Sequence, residues 1–197
     1  MRLYKKMSVL ILVLFLGISV VFANEAPKTE SFEDKHKDAQ FIWLLYNVDV
    51  KVNEDWSFST HVHKTIKVLK EDSKDMGEIP IQYLRGIERI TDIHAFTITP
   101  DGRKRRYTKI QDVKASDDAL MYTDNMVKII TLPEVNIGSV LEHEYTISSK
   151  GLPMKKAFWY TLAVDTNAPA RELRLSMTVP KKLGIKAKEF GLTRKPV

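Results

Sequence analysis

The chain has 197 residues, with 31 Lys and Arg against 25 Asp and Glu, a formal charge of +6, and no cysteine. The missing cysteines exclude disulfides, thiolate metal ligation, a cysteine nucleophile and a lipid anchor on an N-terminal cysteine. Length and a hydrophobic content of 44% allow one domain whose core needs no covalent staples.

Arg2, Lys5 and Lys6 open the chain without an acid, and residues 9–22 then run without a charge. This positive segment, the apolar segment behind it and the small residues of Val21-Phe22-Ala23 have the order of a cleavable signal peptide. The apolar run is shorter than the roughly 20 residues that cross a bilayer. Residues 1–23 are therefore expected to be removed, leaving Asn24 as the mature N-terminus and no stable membrane anchor. The leader carries three basic residues and no acid, so the mature chain falls from +6 to +3. An exported domain of so little charge does not suit nucleic acid. Export to the periplasm or the medium is expected.

Residues 24–38 are polar and charged, and read as a lead-in. From Phe41 the dominant period is two. Tyr46, Val48, Val50 and Val52 alternate with Asn47, Asp49 and Lys51, the pattern of a half-buried strand. Asn53-Glu54-Asp55 marks a turn, and residues 58–69 return with Phe58, Val62, Ile66 and Val68 on one face, so the two runs read as a long hairpin. At its start both faces are apolar. Ile42 and Leu44 continue the Tyr46 face, while Phe41, Trp43 and Leu45 fall on the opposite one. Two readings stand there: an interface for a missing partner, or a central strand covered by a second layer or by residues 24–38.

Further strands are predicted at residues 87–98, 104–108, 126–132, 139–148, 157–164 and 172–179. Pro100-Asp101-Gly102 is a hairpin turn in which glycine supplies a positive φ. In the last strand Leu173, Leu175, Met177 and Val179 alternate with Arg174, Ser176 and Thr178, and Pro180 stops the ladder. No stretch carries a sustained helical pattern, though residues 116–121 could make one turn. About eight strands with regular turns predict an all-β domain over 39–182, an antiparallel sandwich or a curled antiparallel sheet. Residues 183–197 read as the start of a linker or of a continuation.

Three clusters carry possible chemistry. His61 and His63 lie two apart on one strand face, a spacing that can bind zinc, with His94 or His143 as a third ligand after folding. Ser59, Thr65 and Lys67 share that face, however, and mark it as solvated, so no metal is expected. Glu142 and Glu144 are also two apart, as paired acid and base would be. Their strand alternates with Leu141, His143, Tyr145 and Ile147, and nothing separates the two carboxyl environments. Arg103, Lys104, Arg105 and Arg106, with Lys109, concentrate charge on one hairpin. They suit anionic headgroups or acidic envelope polymers, or equally the charge that keeps an edge strand from pairing. Glycine-rich phosphate loops, a zinc-protease helix motif and a nucleophile elbow are missing from the sequence, so neither catalysis nor a cofactor is expected.

Two segments resemble a known family. Ile93-His94-Ala95-Phe96 through Pro100-Asp101-Gly102-Arg103 resembles the hairpin of a bacterial exported domain of unknown function found N-terminal to transglutaminase-like domains. Leu132-Pro133-Glu134-Val135, followed by Gly138-Ser139-Val140-Leu141-Glu142-His143-Glu144-Tyr145, resembles that family's second signature. Trp56 stands where such sequences usually carry a glycine, and His143 where an aromatic residue is common. The resemblance spans about residues 39–180. It implies an N-terminal β domain followed by a transglutaminase or protease-like domain of the same polypeptide, and it transfers no catalytic residue. A non-catalytic accessory domain is therefore expected. The alternatives are a stand-alone binding module for envelope glycan or lipid and, last, a metal-dependent hydrolase built on His61 and His63.

Overall fold

The structure is a computed structural model that describes residues 30–115, 124–150, 158, 160–161, 168–184 and 186. The leader, the helical turn expected at 116–121 and most of the strand expected at 157–164 lie outside the described residues. Of that last segment, Phe158 and Tyr160 are described, are not in a strand, and pack against the core.

The lead-in is more ordered than its composition suggests. Ser31 accepts from the Asp34 amide at 3.1 Å while the Asp34 carboxylate takes the Ser31 amide at 3.2 Å. This capping box opens one helical turn, α1 (Phe32–Lys35). The Ser-x-x-Asp spacing was visible in the sequence. Glu33 on that turn pairs with Lys67 at 2.5 Å and pins the segment to the sheet.

Nine strands follow among the described residues: β1 (Phe41–Val52), β2 (Phe58–Val68), β3 (Glu78–Leu84), β4 (Glu88–Ile98), β5 (Lys104–Arg106), β6 (Lys109–Lys114), β7 (Asn125–Thr131), β8 (Val140–Ser149) and β9 (Leu173–Thr178). They form a six-stranded sheet of order β5-β4-β8-β2-β1-β9 and a three-stranded sheet of order β3-β7-β6. All pairs are antiparallel except β1 with β9. The domain is thus the expected all-β architecture, two open sheets with one core. That core runs from Val48, Val62 and Leu141 on the large sheet to Ile79, Ile81 and Ile130 on the small one.

Two strands were not anticipated. Pro80 interrupts the apolar run of β3, and the structure puts β3 at an edge, paired with β7 alone, where a missing donor is tolerated. The predicted strand at 104–108 divides instead into β5 and β6. The chain crosses between sheets at that point, with the Tyr107 amide bonded to Ala95 and the Thr108 amide to Thr131.

The start of β1 corrects the sequence reading. Trp43 pairs with Ile66 but Leu45 pairs with Thr65, so one extra residue bulges out between them. The bulge reverses the parity. Phe41 and Trp43 turn to the same face as Tyr46 and Val48, and Trp43 is 8% exposed in the core. Ile42 and Leu45 go to the outer face, where Ile42 is also fully buried. Phe41, Trp43 and Leu45 therefore do not form one exposed apolar strip.

The turns obey their residues. In the β1–β2 turn the Trp56 backbone has φ 70°, the left-handed region that explains glycine as the common residue there. Gly138 has φ 84° and would place a Cβ 3.6 Å from the Pro100 ring. Its amide bonds to the Val68 carbonyl at 2.8 Å, joining the entry of β8 to the exit of β2. Gly138→Ala is expected to cost about 1–2 kcal/mol from the left-handed backbone alone, read as a lowered urea midpoint with an unchanged slope.

Candidate functional site

β2 and β8 lie side by side at the centre of the six-stranded sheet, and their alternation sends different chemistry to its two faces. On the outer face His63 stands opposite Glu144, and His94 on β4 stands opposite Glu144 from the other side. Diagonal pairing joins them: His61 Nε2 lies 3.2 Å from a Glu144 oxygen, and His63 Nε2 lies 3.2 Å from a Glu142 oxygen. Asp49 on β1 adds a carboxylate held low by its bond from Ser176. The structure thus brings the two histidines and the two glutamates of the sequence reading into one ladder. Among the described residues no group of three or more such side chains converges as a metal set. Each histidine meets a glutamate, and the pairs are only partly buried, an arrangement worth little as stabilisation and open to solvent.

The inner face holds the unusual chemistry. Lys64 sits on it between Val62 and Ile66, facing Tyr46 on one side and His143 on the other. Its ammonium lies 4.0 Å from the Tyr46 ring centre and 5.5 Å from that of Trp43. Burial pushes Lys64 down to about 8, and the two rings supply the cation–π contact that offsets part of the lost hydration. His143 is buried, stacked on Tyr145 at 6.1 Å, and its Nδ1 has no partner among the described residues. Burial first, then the charges of Lys64 and His63, push its imidazole down to about 3, so it stays neutral at ordinary pH. Burial also raises Tyr46 and Tyr145. Trp43 Nε1 and Thr97 Oγ1 are likewise unpartnered among the described residues.

The basic hairpin is mostly engaged within the chain. Arg103 meets Asp101 at 2.6 Å and Glu134 at 3.6 Å, and Arg105 meets the same Glu134 at 3.0 Å. Lys104 lies 4.0 Å from Glu142 and over the Phe96 ring, and Arg106 covers Tyr107. Lys109 leads β6 in the other sheet, so it is not part of the β5 cluster. Glu134, which gathers Arg103 and Arg105, has φ 53° and belongs to the second signature segment.

That signature decides the family. Residues 54–197 match the Domain of Unknown Function with a solved structure, DUF3857. The chain is a member of the DUF3857 family. No curated protein matches it. Among solved structures, a candidate protease from Parabacteroides distasonis shares the fold with a TM-score of 0.53 and 15% identity, covering 57% of this chain and 23% of its own. An M1 zinc metallopeptidase from Deinococcus radiodurans aligns with a TM-score of 0.33 and 14% identity over 61% of this chain and 24% of its own. The CBM3a-L domain of a Clostridium thermocellum cellulosome scaffoldin aligns with a TM-score of 0.32 and 13% identity, over 56% of this chain and 68% of its own. The chain therefore spans 23% of the length of the first of these proteins.

Seen as a DUF3857 domain, the signature segment has a structural role. Leu132 enters the core, Glu134 ties down the β5 hairpin, Gly138 makes the turn, and Ser139 is fully buried and accepts from the Asn136 amide at 3.0 Å. Sequence reasoning missed Lys64. The signal was its even number, which places it in phase with Val62 and Ile66 rather than with His61 and His63.

Proposed function

We propose that this DUF3857 domain is a non-catalytic, exported accessory domain that supports a catalytic domain following it in the same polypeptide. The observation that carries this reading is the pairing of every reactive cluster among the described residues. His61 and His63 are matched to glutamates, and buried His143 and partly buried Lys64 lie against aromatic rings. His61 Nδ1 also lies 3.4 Å from the Thr146 hydroxyl, at the long end of a hydrogen bond and on an open, part-exposed strand face, with no depression beside it among the described residues to hold a substrate. The depression lined by Asp75, Gly77, Glu78, Thr131 and Leu132, about 240 Å³, offers acids without a partner base. The recurrence of the fold as a fraction of a larger protein named as a candidate protease supports the same reading.

Export rests on residues 1–23, and the exported species is expected to begin at Asn24 by mass spectrometry. The division of labour is tested on the complete exported protein. Peptidase and glutamine amidotransfer activities are measured before and after the joint change of His61 and His63 to Gln with Glu142 and Glu144 to Gln. Activity is expected to stay within about twofold, because these are surface substitutions away from the chemistry. Loss of activity with the fold intact would place catalysis in this domain and overturn the proposal. So would an exported protein whose mass ends with this domain.

A further inference from the structure

The six-stranded sheet has two edges that are built differently. One is β5, three residues long, all of them Lys or Arg and all exposed. Short length and charge are how natural sheets keep an edge from pairing. The other edge is β9, twice as long, and it carries none of these devices. It has no proline, no bulge and one charge, Arg174, which is paired with Glu172 just before the strand.

The direction of its free hydrogen-bonding groups is fixed by the pairing with β1. Tyr46 stands opposite Leu173, and its amide donates to the Glu172 carbonyl at 2.9 Å. In a parallel ladder that geometry turns the amides and carbonyls of Glu172, Arg174 and Ser176 toward β1, and those of Leu173, Leu175 and Met177 away from it. Among the described residues nothing pairs with that outward row. The same residues supply the largest exposed apolar side chains of the strand, Leu175 at 46% and Met177 at 39%.

We infer that the β9 edge is a dimerisation surface whose occupant is β9 of a second copy, running antiparallel across a two-fold axis at Ser176. The strand is self-complementary in that register. Leu175 stands against Met177 of the second copy in both directions, so the two exposed apolar side chains cover each other, and their outward amides and carbonyls are the ones that meet. Arg174 falls opposite Thr178 of the second copy, and within β9 no two like charges are set face to face. Ser176 meets Ser176 of the second copy in a pair without mutual hydrogen bonds, where Cα atoms approach to about 4.5 Å. Two six-stranded sheets would join into one continuous sheet, an isologous contact that closes.

The chain has no cysteine, which makes the register directly testable in the exported protein. Ser176→Cys is expected to give a disulfide-linked dimer on mild oxidation, with the linkage mapped to that peptide by mass spectrometry, since the expected spacing fits a disulfide. Arg174→Cys is expected to give at least about tenfold less, because its mate across the axis is Thr178, not itself. Sedimentation over a concentration series is expected to show a monomer–dimer equilibrium, with Met177→Lys weakening association by about tenfold or more while the thermal melt, taken at a concentration where both proteins are monomeric, stays unchanged. A protein that remains monomeric throughout, because another domain covers the edge or nothing does, overturns the inference. Equal cross-linking at positions 174 and 176 overturns the register, and a dimer indifferent to Met177→Lys places the contact elsewhere. Loss of dimerisation leaves the accessory-domain reading standing, since that reading is decided by where activity resides.

Discussion

His143→Phe is expected to give a protein more resistant to acid than the original, with the difference opening below pH 6.5. His143 is buried and neutral, with its imidazole pushed down to about 3 from the usual 6.5. Between these two values the unfolded chain binds a proton at this residue and the folded chain does not. Stability therefore falls as pH drops through that window. By pH 4 the loss from this one group is roughly 3 kcal/mol, at about 1.4 kcal/mol per pH unit. Phe keeps an aromatic ring against Tyr145 and removes Nδ1, which lacks a partner among the described residues. An unpaired buried polar atom is itself destabilising by about 1–3 kcal/mol.

Lys64 stands opposite His143 and Tyr145 stacks on it, His63 acts on it only electrostatically from the other face, and none offers it a negative charge at neutral pH. Carboxylates such as Asp49 and Asp112 are held low and also lose stabilisation in acid. Urea titrations of both proteins at pH 7.5 and pH 4.5 remove that common background. A gap between the two that is the same at both pH values would mean that His143 is solvated or paired. Lys64 shifts in the same sense at the other end. With its ammonium held at about 8 rather than 10.5, stability should rise between those two values and should stop doing so in Lys64→Met.

The parts of this architecture that sequence made legible are those where period and turn chemistry agree. β2, β8 and β9 alternate cleanly, and Pro100-Asp101-Gly102 closes its hairpin with Gly102 at φ 84°. What stayed hidden depended on counting by two without interruption. A single bulged residue between Trp43 and Leu45 exchanges the faces of everything before it, and no local signal marks the extra residue. Lys64 was hidden in another way. Its phase placed it inward, but a lysine is ordinarily counted as solvent-facing, and the rings of Tyr46 and Trp43 that receive it come from another strand. The histidine and glutamate pairs were each visible along the chain. Their mutual pairing needed the register of β2 against β8, which a sequence does not supply.

Trp43→Ser should be among the most damaging single substitutions in the domain, with an expected loss of about 3–5 kcal/mol as for a truncated core aromatic. From sequence, Trp43 was as readily an interface residue, and the two readings predict opposite behaviour. An interface tryptophan would leave stability nearly unchanged and would reduce the binding of an apolar dye. In the structure its ring is wedged at 5.7 Å from Phe41 and 5.0 Å from Tyr46, both edge-on, with Ile66 opposite and the Lys64 ammonium beyond. Removing it opens a cavity beneath three neighbours on two strands and leaves Lys64 with one ring instead of two. Trp43→Phe separates packing from polarity. It keeps an edge-on ring and deletes Nε1, an N–H with no acceptor among the described residues, so its cost should be under about half that of Trp43→Ser. Equal costs for the two would show that the indole N–H is bonded in solution. A serine variant as stable as the parent, with dye binding lost, would return Trp43 to the surface and refute the bulge that turns it inward.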